Sequence, residues 1–253
     1  MTAIIDYPIA VFVVSLAAMA LGALTGIVLG RRGILGEAEH EYFGMVQTAT
    51  LTLLGLVVGF TFSMAVSRYD QRKNYEEEEA NAIGTEYVRA ELLPEPDATK
   101  VRAKLRDYLD QRIAWYSRTQ AGHLREIESR TAALQHDLWG AVRGPAAASQ
   151  TPVMALVASG MNDVLNAQGY TQAAWWNRIP PAAWLLMLAL AVCSNVLVGM
   201  SANATARPLL LFVLPLIVAI AFLLIADIDS PRRGLIAVSP LNLSSLAQSL
   251  GPR

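Results

Sequence analysis

From Met45 to Val66 the chain carries no formal charge, and from Ser67 onward polar residues take over with no helix breaker before Leu93-Pro94-Glu95-Pro96. At roughly 1.5 Å per helical residue the apolar part matches a hydrocarbon core of about 30 Å. A residue that precedes proline is pushed out of the helical region, so the pattern predicts one helix that crosses a bilayer and runs on unbroken to Leu92. Gly55, Gly59 and Gly84 weaken this helix locally without ending it.

Three further apolar blocks pass the same length test: Pro8 to Gly30, Pro180 to Met200, and Pro208 to Ala226, the last with Pro215 as a predicted kink. The chain therefore reads as four membrane spans, about 8–30, 45–66, 180–200 and 208–226. Ala18-Met19-Ala20 resembles a signal-peptide cleavage site, but the preceding segment holds Asp6 and no Lys or Arg, and the apolar run continues to Leu29 before Arg31-Arg32. A retained helix explains more of that segment. Four spans place the amino terminus, residues 67–178 and the tail 227–253 on one side. Arg68, Arg72, Lys73, Arg178, Arg232 and Arg233 flank that side, against Arg31, Arg32 and Arg207 on the other. The positive-inside rule then predicts a multi-pass inner (plasma) membrane protein with both termini and the large insertion in the cytoplasm. Trp175, Trp176 and Trp184 fall where interfacial aromatic anchors are expected.

Within the insertion, Asp97 or Thr99 can cap a helix whose Val101, Leu105, Tyr108, Leu109, Arg112 and Tyr116 recur at three- and four-residue steps. A second helix is expected from His123 to Val142, stopped by Gly144-Pro145, with Leu124, Ile127, Thr131, Leu134, Leu138 and Val142 on one stripe. A third begins near Pro152, carries Val153, Leu156, Val157, Met161, Val164 and Leu165, and ends before Gly169; residues 146–151 read as a short loop. No sustained strand alternation appears, so the predicted fold is all-α: four transmembrane helices, a helical cytoplasmic insertion between the second and third spans, and a second span that continues as a long cytoplasmic helix. Because spans flank the insertion on both sides, residues 1–253 read as a single interleaved unit.

Composition supports the membrane assignment, with 54% hydrophobic and 16% charged residues against about 45–50% apolar in a soluble domain. A net charge of -1 offers no nucleic-acid surface, and one cysteine, Cys193, excludes an internal disulfide. His40, His123 and His136 are isolated, without metal-ligand spacing. No glycine-rich phosphate loop is present, and Gly22 and Gly26, four apart inside a span, read as a helix-packing pair. An enzyme is not expected, and no cofactor. Glu76 and Glu79, in the run Glu76 to Glu79, are candidate cation-attracting residues if several copies surround an axis; the plainer reading is a solvated face paired one turn back, Arg72 with Glu76 and Lys73 with Glu77. Asp227 and Asp229 are weak metal candidates, since two carboxylates are few for a cation that takes six to eight oxygens; a salt bridge with Arg232 or Arg233 suits them better.

The segment Gly59-Phe60-Thr61-Phe62-Ser63-Met64-Ala65-Val66-Ser67-Arg68-Tyr69-Asp70-Gln71-Arg72-Lys73, then Glu79-Ala80-Asn81-Ala82-Ile83-Gly84-Thr85, resembles the bacterial bestrophin-like membrane family, a likeness that extends through Ala90 to Pro94 and Asp229 to Leu235. It is similar, more distantly, to bestrophin channels, in which a phenylalanine precedes an arginine-aromatic pair by eight residues, as Phe60 precedes Arg68-Tyr69 here. The resemblance implies a pentameric ion channel with the second helices around its axis. Mapped by position, Thr52, Leu56 and Phe60 would form the neck, and Ser63 and Ser67 would line the pore below it. The expected partners are the lipid bilayer, further copies of the chain and inorganic ions. A non-conducting signalling or scaffold protein that recruits a partner through its cytoplasmic helices is the alternative.

Overall fold

The computed structural model describes residues 5–32, 40–117, 121–202 and 211–251. Every regular element among them is helical: α1 Pro8–Arg31, α2 His40–Arg89, a 3-10 turn Ala90–Leu92, α3 Asp97–Tyr116, α4 Ala121–Ala148, α5 Pro152–Trp176, α6 Pro181–Met200, α7 Val213–Asp229 and α8 Leu241–Ser249. Among the described residues three stretches are long and apolar enough to cross a membrane: Pro8–Arg31, the apolar part of Tyr42–Leu92, and the apolar part of Pro152–Met200. α7 is described for 17 residues; the expected start of its span at Pro208 and the flanking Arg207 lie outside the described residues. Pro215 does not kink it, because it falls in the first helical turn, where its missing N–H had no intrahelical partner to lose.

The chain divides into two compact units, Met1–Tyr69 with Arg178–Ala237, and Asp70–Asn177 with Val238–Arg253. In the first unit, α1 packs on α6 and α7. The α1–α6 contact is glycine against backbone. A Cβ on Gly26 would sit 2.1 Å from the Val196 carbonyl oxygen, and one on Gly199 would sit 2.2 Å from that of Ala23. Only glycine admits so close an approach, as the spacing of Gly22 and Gly26 suggested. The core around it gathers Met19, Met187, Ala191, Ala219, Phe222 and Ile225, joined from α2 by Leu54 and Ala65. At one end Arg178 ties three segments together: its Nη1 donates to Asp6 Oδ1 at 2.6 Å and its Nε to Asp229 Oδ2 at 3.0 Å, while Ile179 N–H donates to Asp229 Oδ1 at 3.2 Å.

The second unit is built from residues 70–89 of α2 with α3, α4, α5 and α8. The predicted stripe of α3 is its buried face, with Val101, Leu105, Tyr108, Leu109, Arg112 and Tyr116 all inside. Neither Asp97 nor Thr99 caps it; Pro96 occupies the N-cap position, and the Thr99 hydroxyl donates to Glu95 instead. α4 continues through Pro145 to Ala148. A proline in the last turn removes few bonds, three alanines follow it, and Ser149 N–H still reaches the Pro145 carbonyl at 3.0 Å. α5 likewise runs past Gly169 to Trp176. The cost of an exposed helical glycine, about 1 kcal/mol, is outweighed by the burial of Thr171, Ala174 and Trp175 beyond it.

Two of the three expected membrane-interface tryptophans are core residues. Trp175 packs on Trp115 and Tyr116 with centroids 4.4 and 5.5 Å away, and Trp184 packs edge-on to Phe222 at 6.2 Å; only Trp176 is exposed.

Candidate functional site

α2 has one packed stripe in its apolar part. Leu54, Thr61 and Ala65 are buried, at spacings of seven and four that return to one side of a helix. At about 100° per residue, Thr52, Leu56, Phe60, Ser63 and Ser67 lie roughly 160–240° around from Leu54, on the opposite side. All five are exposed; Leu56 keeps 53% and Phe60 66% of its surface open. Gly55 and Gly59 are on the open side too, and a Cβ added to either would meet nothing within 4 Å. The candidate face is therefore not the one that packs inside the chain.

One polar member of this face, Thr52, is partly neutralised by its own helix. Thr52 Oγ1 donates to the Thr48 carbonyl at 2.9 Å, as Thr48 does to Gly44 and Thr50 to Val46. A threonine bonded one turn back presents its methyl and an accepting lone pair, with no free hydroxyl donor. Thr52 is thus drier than its residue type suggests.

The acidic run requires a correction. Glu76 and Glu79 are neither on a solvated face nor available to attract cations, since each is almost completely buried. Glu76 accepts from Leu243 N–H at 2.9 Å and from Asn242 Nδ2 at 2.6 Å, which anchors α8. Glu79 forms a buried ion pair with Arg112, and Oε2 also accepts from Tyr116 Oη at 3.4 Å and Thr171 Oγ1 at 3.2 Å. Arg112 is stacked over Trp115, 4.7 Å from its ring centroid. Arg72 is buried as well and donates to the carbonyls of Ala174 and Asn177. Such long-range partners are what make a buried charge tolerable. The exposed members of the run are Glu77 and Glu78.

Asp227 and Asp229 are also structural. The Asp227 oxygens accept from Leu235 N–H at 2.6 Å and Ile236 N–H at 2.8 Å, and Asp229 holds Arg178 and Ile179. A cation would have to displace these donors, so the two carboxylates do not form a metal site. Among the described residues no group of three or more His, Cys, Asp or Glu could hold a metal. His123 is exposed near Glu126, and His136 is exposed.

One buried acid had no signal in the sequence. Glu86 is 0% exposed, and neither of its carboxylate oxygens has a hydrogen-bond partner. It lies against Gly160 of α5, where a Cβ would come within 2.0 Å of Oε2. Burial raises its pKa to about 8; the Arg89 guanidinium lowers it less, and the like charge of Asp163 adds to the rise. Burial also raises the pKa values of Tyr108 and Tyr116, both of which lie in the field of Glu79.

A family model described as a bestrophin-like domain matches residues 14–243. The fold is shared with a bacterial bestrophin homologue from Klebsiella pneumoniae, at TM-score 0.64 and 15% identity over 94% of this chain and 95% of that one. A variant of such a homologue from the same organism, with one tryptophan replaced by alanine, aligns at TM-score 0.63 and 14% identity over 94% and 93%. A crystal structure described as a membrane protein aligns at 0.61 and 14% over 93% and 94%. At these identities the likeness establishes the fold. No curated protein matches the sequence.

Proposed function

Since this chain belongs to the bestrophin-like family, we propose that it is a homo-oligomeric ion channel, five copies gathering their α2 helices around a common axis. Leu56 and Phe60 then form a hydrophobic constriction that gates by dewetting, Thr52 forms the ring one turn before them, and Ser63 and Ser67 keep the far side wet. The observation that carries this reading is the orientation of α2. Its buried stripe faces the chain's own core, and the five candidate residues stand exposed on the opposite side.

Two features support assembly through that side. Gly55 and Gly59 are four apart and open, so a neighbouring helix can approach closely beside the candidate face. The exposed Leu53, Phe62 and Met64 extend the apolar surface on either flank. Dewetting needs a narrow apolar ring; shortening both side chains widens it and lowers the barrier to water and ions. The double substitution Leu56→Ala and Phe60→Ala should therefore raise single-channel conductance in planar bilayers. A particle mass of one subunit in detergent, or currents unchanged by the double substitution, would refute the proposal.

A further inference from the structure

In the first unit a groove of about 470 Å³ lies between residues 7–9 at the start of α1, the last turns of α7 and the turn 233–236. Apart from Arg233 and Asp227, whose carboxylate accepts from backbone N–H groups, its walls are apolar, and several are open: Ile9 is 75% exposed, Leu224 41% and Leu235 85%. The turn is fixed in place. Asp227 holds the backbone of Leu235 and Ile236, and a Cβ on Gly234 would sit 2.1 Å from the Asp227 carbonyl oxygen, so only glycine lets the chain return this closely.

One cation stands over this apolar surface. Arg233 is exposed, and its guanidinium carbon lies 4.1 Å from the centroid of the Tyr7 ring. Stacking on an aromatic face holds the plane and leaves its in-plane N–H fork available to an oxyanion. The nearby carboxylates are engaged elsewhere: Asp6 and Asp229 pair with Arg178, and Asp227 accepts from backbone. α1 begins its apolar run at Pro8, which places Tyr7 and Arg233 at the level where a spanning helix meets headgroups. We propose that this groove binds an anionic phospholipid, its acyl chain against Ile9, Leu224 and Leu235 and its phosphate on Arg233. A zwitterionic headgroup brings its own cation to Arg233 and is disfavoured. The proposal rests on the membrane reading of α1 and not on conduction, so a protein that proves non-conducting or monomeric can still pass this test.

Native mass spectrometry of the intact protein, released from detergent with phosphatidylglycerol or phosphatidylcholine of identical chains, reads the preference directly. Phosphatidylglycerol is expected to bind about fivefold more, the effect of one basic residue near an anionic headgroup. Arg233→Gln should bring the two lipids level, Leu235→Ser should weaken both, and millimolar inorganic phosphate should leave the adduct in place. Equal binding of the two lipids by the unmodified protein overturns the proposal without recourse to any variant. An unchanged preference in Arg233→Gln does so too, as does displacement by phosphate alone, which would mark a free-anion site. Disulfide crosslinking of Leu235→Cys between copies would give the groove to a second subunit and equally overturn it.

Discussion

Replacing Glu86 with glutamine should abolish a pH dependence that the second unit owes to this one side chain. In the unfolded chain the carboxyl titrates near its ordinary value of 4.5, and in the folded chain burial moves it to about 8. Between these values the folded state holds a proton that the unfolded state has released, so stability falls as pH rises. It is fully present below about pH 4.5, declines across the window and is flat again above about pH 8. The slope in mid-window approaches 1.4 kcal/mol per pH unit, and the whole window amounts to about 5 kcal/mol. Glutamine keeps the shape and cannot ionise; its buried amide costs about 1–3 kcal/mol, but equally at every pH. The assay is urea denaturation of the intact protein in detergent at half-unit steps from pH 5 to 9, followed by tryptophan fluorescence, since Trp115 and Trp175 are buried in the same unit. Groups common to both proteins cancel in the difference between them. The unmodified protein should lose stability relative to the variant as pH rises from 5 to 8. Parallel pH curves would refute the reasoning, because they would mean that Glu86 has a partner or water in the fold.

Other substitutions test the packing. Gly26→Val places a side chain where the Val196 carbonyl stands, and should cost at least ~2–3 kcal/mol, read as a lowered midpoint of thermal aggregation. Glu79→Gln leaves Arg112 buried without its counter-charge and should cost about 3–5 kcal/mol in the same denaturation assay, whereas replacing both residues with methionine should recover most of that loss.

Much of the fold was legible because its punctuation is local. The proline pair at Pro94 and Pro96 marks a real break, the apolar block that opens at Pro180 begins its helix at Pro181, and the three- and four-residue spacing of α3 gave its buried face residue by residue. Where local rules failed, tertiary burial outweighed them, as at Gly169, or helix-forming neighbours carried the chain through, as at Pro145. The acidic run failed for another reason. Four consecutive glutamates look alike to a helical-periodicity argument, and the partners that separate Glu79 from Glu78 lie 33 residues away at Arg112 and 92 away at Thr171. α8 was missed because its anchor is Glu76, 167 residues upstream of Leu243. The candidate face of α2 was readable as a stripe, since Thr52, Leu56 and Phe60 follow helical spacing. Whether it packed inside the chain's own fold depended on which side Leu54, Thr61 and Ala65 occupied, and an apolar sequence does not distinguish its two sides.

The glycine seam between α1 and α6, together with the clasp that Arg178 throws around Asp6, has a consequence for biogenesis. Asp6, just ahead of the first helix, meets Arg178 172 residues later in the chain, the seam partners Val196 and Gly199 follow it, and at about 5–20 residues per second the ribosome takes roughly 10–35 s to deliver the first of them. Throughout that interval the notched surface of α1 stays uncovered by α6. Slowed elongation late in the message should therefore lengthen the period in which quality-control proteases can reach it.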